Sequence, residues 1–144
     1  MKFNRFIVTE NGDLWIRTNK NTGEYECVTS TSARNMNTKM LMKREKIIVS
    51  TDNFRVMLSE IIKEGDLVEI DGNPYYIKKY VSNKEKPSWF DTNEGKLMAY
   101  YKIFDKDINS YALTLEEAIK NGDIESVYKK DFQGRWYMIW FKTR

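Results

Sequence analysis

Histidine is absent from this chain of 144 residues, and cysteine occurs once, at Cys27. The first absence removes the usual general base near neutral pH and the commonest metal ligand. The second removes any internal disulfide or cysteine metal cluster, and a lone thiol fits a reducing compartment. Proline is nearly missing, with two residues, and seven glycines leave little room for a long flexible linker. No apolar run approaches the roughly twenty residues that a membrane-spanning helix needs. The opening Met1-Lys2-Phe3-Asn4-Arg5-Phe6 lacks the apolar centre of a signal peptide, so the expected location is the cytoplasm. Excess charge of one sign is also lacking. With 24 basic and 21 acidic residues the net charge is +3, too even for a protein that coats nucleic acid. Its sign argues against a mimic of DNA.

Aromatic residues, by contrast, are abundant: nine Tyr, seven Phe and four Trp make up 14% of the chain. Hydrophobic residues at 41% and charged residues at 31% are ordinary for a globular protein and exclude disorder. The length suits a single domain spanning residues 1–144.

Residues 3–9, 14–18 and 25–29 read as a meander over about 1–30, turned by Asn11-Gly12 and by a loop ending in Gly23. Residues 30–38 are polar and irregular and read as a mobile loop. A strand pattern follows at Ile47-Ile48-Val49. Phe54, Leu58, Ile61 and Ile62 then recur at the spacing of one helical face, predicting an amphipathic helix over about 52–64, capped by Thr51 or Asp52 and ended by Gly65. Residues 67–70 and 73–81 predict a hairpin about Asp71-Gly72-Asn73. Small SH3-like barrels open in this way. Residues 82–88 and 105–109 read as turns, and 97–104 as an aromatic strand. Thr114-Leu115-Glu116-Glu117 is a capping box for a short helix closed by Gly122. Residues 124–128 and 135–142 complete the strands. The expected fold is therefore α+β, mainly antiparallel β, with one or two short amphipathic helices and an SH3-like, barrel-type β-rich part over about 66–144.

The stretch Leu115-Glu116-Glu117-Ala118-Ile119-Lys120-Asn121-Gly122-Asp123-Ile124-Glu125-Ser126-Val127-Tyr128 resembles the ends of small phage and prophage proteins of Gram-positive bacteria. In those a similar helix precedes a similar strand, and a Gly-Asp-x-Val segment like Gly65-Asp66-Leu67-Val68 often lies upstream. The following Lys129-Lys130-Asp131-Phe132 departs from the family's turn. The resemblance covers the second half of the chain and brings no catalytic residue. It implies an accessory protein that acts in the host cytoplasm by occluding a host protein, such as a CRISPR or restriction nuclease.

Two candidate surfaces stand out. One is basic and methionine-rich: Met36, Lys39, Met40, Met42, Lys43, Arg44 and Lys46 would offer adaptable contacts beside cations, or the methionines fill the core while the lysines lie in water. The other is aromatic with interleaved cations. Period two places Tyr76, Lys78 and Tyr80 on one strand face, and Trp136, Met138, Trp140 and Lys142 on another. Exposed, these would stack bases or anchor a protein; buried, they would fill a barrel or two-layer core. Catalytic options are thin. Asp71 with Glu94-Gly95-Lys96 has the letters of a metal-dependent nuclease but sits in turn contexts, and Cys27 has no histidine to activate it. No glycine-rich loop grips a phosphate. The expectation is a non-enzymatic inhibitor of a host protein, with no metal or cofactor. The alternative is a nucleic-acid- or nucleotide-binding module using the aromatic, basic sheet face.

Overall fold

The computed structural model describes residues 4–30, 34–82, 98–105 and 111–142, with 80–82, 98–102, 105 and 111–113 described as backbone alone. Their contacts separate into two units. One comprises Met1–Ile62 and Ser126–Arg144, so it joins both ends of the chain; the other is Lys63–Glu125.

The first unit begins as a meander, β1 (Phe6–Thr9), β2 (Leu14–Asn19) and β3 (Glu24–Cys27), each antiparallel to the next. Residues 35–37, within the expected loop, instead form β4 (Asn35–Asn37), which pairs with β3. Met36 explains the difference, since it packs against the core while its polar neighbours face outward. Asn37 then caps α1 (Thr38–Arg44), its side chain accepting the Met40 amide. The strand β5 (Ile47–Thr51) closes the sheet in the order β4-β3-β2-β1-β5.

Strand pleating sends alternate side chains to opposite faces. Ile7, Trp15, Tyr25 and Cys27 gather on one face with Leu41 of α1. Arg34 covers the Trp15 ring at 5.2 Å while bonding Glu45 at 3.1 Å. Phe6, Val8 and Leu14 lie on the alternate positions of β1 and β2, and they too are buried. The helix α2 (Phe54–Ile61) packs against β1 and β5 and buries Met57, Leu58 and Ile61. It starts two residues later than a cap at Thr51, and one later than a cap at Asp52, would have it. Thr51 pairs with Phe6 in the sheet and Asp52 accepts the Arg5 amide, so Asn53 takes the cap and accepts the Arg55 amide. The unit is completed by an antiparallel pair, β10 (Ser126–Lys130) and β11 (Trp136–Phe141).

In the second unit β6 (Leu67–Ile70), β7 (Asn73–Ser82), β8 (Met98–Asp105) and β9 (Tyr111–Thr114) are successive antiparallel neighbours. Asp71 and Gly72 have φ of +52° and +77°, the mirror-image turn that matches strand twist. Gly65 donates to Ile77, and Asp66 accepts the Lys63 amide. Thr114 accepts the Glu117 amide at 3.3 Å to start α3 (Leu115–Asn121), and Gly122 ends it in the left-handed conformation. The class is α+β with antiparallel strands, but the SH3-like closure expected for residues 66–144 does not form. The strands stay in open order and do not close on themselves. The turns expected at 82–88 and 105–109 fall mostly outside the described residues; their first residues, Ser82 and Asp105, end β7 and β8.

Adjacent residues of α1 separate core from surface. Leu41→Ala should lower the unfolding free energy by about 2–5 kcal/mol. Met42→Ala, at a side chain 57% exposed, should change it by less than about 0.5 kcal/mol. Urea unfolding of the two variants checks this.

Candidate functional site

The β10–β11 hairpin turns through Asp131-Phe132-Gln133-Gly134. One Asp131 carboxylate oxygen accepts the amides of Gln133 and Arg135, both at 2.9 Å, and the other accepts the Arg135 Nε–H at 3.2 Å. The Asp131 amide donates to Arg135 O and the Gly134 amide to Asp131 O, with Gly134 at φ +81°. The Arg135 amide is the main cause holding the Asp131 carboxyl below its usual range; the Gln133 amide and the Arg135 charge add to it. At the tip of this braced turn Phe132 is 90% exposed. A phenylalanine held in water on an ordered turn gains nothing from folding.

β11 carries the second feature. Its register against β10 runs from Tyr128↔Met138 to Val127↔Trp140, leaving Ile139 as an extra residue. Such a bulge breaks the alternation of faces. Ile139 and Trp140 are consequently both buried, whereas Met138 and Phe141 are 48% and 57% exposed. Contacts with the rest of its unit hold the hairpin in place. Trp140 stacks on Phe54 of α2 at 5.7 Å, Lys129 Nζ donates to Ile61 O at 2.9 Å, and the Tyr137 hydroxyl donates to Thr29 O at 2.9 Å.

Between β11 and the outer face of β2 and β3 lies a groove of about 300 Å³. Ile16, Val28, Met138 and Phe141 supply its apolar lining, with Glu26 and Arg5 at the margins. Arg5 and Trp140 also line a smaller recess of about 110 Å³ with Asp52, Phe54 and Lys142.

The residues singled out in the sequence do not converge. Trp140, expected on one face with Trp136 and Met138, is 6% exposed because the bulge turns it toward α2 and away from that face. Trp136 is half-buried, with Lys130 4.7 Å from its ring centre. Tyr76 and Lys78 belong to the second unit, where Lys78 lies over Phe104 at 4.9 Å. The side chain of Tyr80 lies outside the described residues. Lys39, Lys43 and Arg44 are exposed on α1 around Met42, while Lys46 pairs with Glu10 at 3.5 Å. Sequence reasoning missed Phe132, Arg5 and the groove. The signal for Phe132 was available: an Asp-x-x-Gly turn between two strands with an aromatic inside it.

Among the described residues no group of three acidic or thiol side chains is placed to hold a metal ion. Asp71 occupies the β6–β7 turn, while Glu94 and Lys96 lie outside the described residues. No described helix is long and apolar enough to cross a membrane. Burial pushes the Cys27 thiol above its ordinary range, with a smaller opposing contribution from its hydrogen bond to Thr29. Comparison with protein-family models, with curated proteins and with solved structures finds no match for the chain.

Two outcomes follow. Cys27 should resist a thiol reagent at pH 8 in the native protein and react fully in denaturant. For Asp131 the depressed value means its brace is intact above the ordinary carboxylate pKa of about 3.9 and fails as pH falls through the lower folded value. The Asp131 carboxyl should titrate below that ordinary value by NMR, and Asp131→Ala should speed amide exchange at Gln133 and Arg135.

Proposed function

We propose that the chain is a non-enzymatic binding protein that inhibits a partner protein by covering part of its surface, with Phe132 as the leading anchor. The observation that carries this reading is the 90% exposed phenyl ring on a turn braced by the Asp131 carboxylate. An aromatic side chain already fixed in a turn loses little conformational freedom on docking, which is how hot-spot residues gain affinity. Arg135 beside it is paired with the Asp131 carboxylate, so the ring itself is what a partner meets, and the pocket it enters would be apolar. The resemblance to phage accessory proteins makes a host defence nuclease, of the CRISPR or restriction type, the first partner to try.

The nucleic-acid reading is the weaker one. Its rings and cations are engaged with one another: Lys78 lies over Phe104, Lys130 over Trp136, and Trp140 against Phe54. A base-stacking platform needs those faces open.

The test uses the immobilised chain and its Phe132→Asp variant on lysate of a candidate host, followed by assay of whatever the parent alone retains. The substitution should leave stability within about 0.5 kcal/mol, because the ring touches so little. It should weaken partner binding by at least roughly thirtyfold, the equivalent of about 2 kcal/mol. The retained protein should lose activity in proportion to added chain. If both forms retain the same proteins, or the retained protein keeps its activity, the reading fails.

A further inference from the structure

The groove beside β11 is a different surface from the Phe132 tip, and its chemistry points to a different kind of contact. Four consecutive residues of β11, Met138 to Phe141, line it. Alternate side chains of a strand point to opposite faces, so a cavity touching four in a row follows the strand's edge as well as one face, with the bulge helping to gather them. That edge is open: among the described residues β11 pairs with β10 alone. An unpaired edge beside an apolar recess is the arrangement by which a sheet accepts an added strand.

The charges select the ligand further. Arg5 sits where the groove meets the smaller recess, its guanidinium 5.2 Å from the Phe6 ring centre. Among the described residues no carboxylate forms an ion pair with it; the Asp52 carboxylate accepts its backbone amide instead. Lys142 stands in the same recess, 5.9 Å from the Phe54 ring centre. Glu26 and Asp52 would repel a run of phosphates, which argues against a nucleic-acid strand here. With two cations and two carboxylates the lining has no net charge to hold a run of phosphates, whereas Arg5 alone can meet a single carboxylate.

We infer that the groove receives an extended segment of a partner protein, which sets one large apolar side chain among Ile16, Val28 and Met138 and an adjacent carboxylate against Arg5. The inference rests on the binding-protein reading only in taking the ligand to be protein. The β11 edge would supply backbone hydrogen bonds, the recess the side-chain preference, and Arg5 the register.

Fluorescein-labelled extended peptides carrying a Leu, Phe or Trp next to a Glu test this by anisotropy with the full chain. The expected result is saturable binding, weakened at least about tenfold by Met138→Glu and by Val28→Glu. Met138 is already half-exposed, so its variant keeps the fold even if the second does not. Replacing the peptide's Glu by Gln and Arg5 by Ala should each weaken binding, and the double change should cost no more than either alone, because the two groups act as a pair. Phe132→Asp should leave peptide binding unchanged, which separates failure of this site from failure of the tip. The inference is overturned if none of these peptides binds, or if Met138→Glu has no effect. It is equally overturned if a thymidine oligonucleotide proves the better ligand, or if sedimentation shows a second copy of the chain occupying the groove.

Discussion

The stack of Trp140 on Phe54 is the contact on which the accessible surface of the first unit depends. It requires a residue inserted into β11, because without the extra Ile139 strict alternation would carry Trp140 outward with Trp136 and Met138. The inserted residue turns a large ring into α2 and leaves Met138 and Phe141 outside, where they form one wall of the groove. Burying a large apolar side chain stabilises by about 1.5–3 kcal/mol, while the bulge leaves only one residue of the ladder unpaired. The irregular strand and the groove are therefore two consequences of one packing choice.

The same accounting explains what became of the aromatic surplus. The first unit buries both faces of its β1–β2 region: Ile7 and Trp15 on one side, Phe6, Val8 and Leu14 on the other. A sheet buried on both faces absorbs more apolar side chains than a one-sided one. Several remaining rings carry a cation over their faces, as at Phe54, Phe104 and Trp136. Phe132 has neither protection. Its exposure stands out because most other described aromatics are buried, stacked or capped.

How legible each element was follows from the range of the interactions behind it. The meander, the Asp71-Gly72 turn and the Thr114 capping box could be read from sequence, because each is decided by residues within a few positions of one another. The start of α2 could not be placed, since Asp52 is drawn away by Arg5, a residue 47 positions earlier. β4 was hidden in a polar stretch for a similar reason, because its partner strand supplies the hydrogen bonds that its composition does not advertise. The SH3-like expectation failed at the level of topology. The hairpin that suggested it is present, but the strand order stays open, and closure depends on pairings between strands far apart in the chain.

Composition alone determined which chemistries lack their means: no imidazole, one thiol, nearly balanced charge. Local pattern determined most of the strands, two of the three described helices and the class to which they belong. Only tertiary structure decided which aromatics are surface and which are core, since period-two alternation assigns a face but cannot foresee a bulge. Trp140 and Phe132 show the two outcomes. One is turned inward by an inserted residue that pairs with nothing, and the other is held outward by a carboxylate that accepts hydrogen bonds from its own turn.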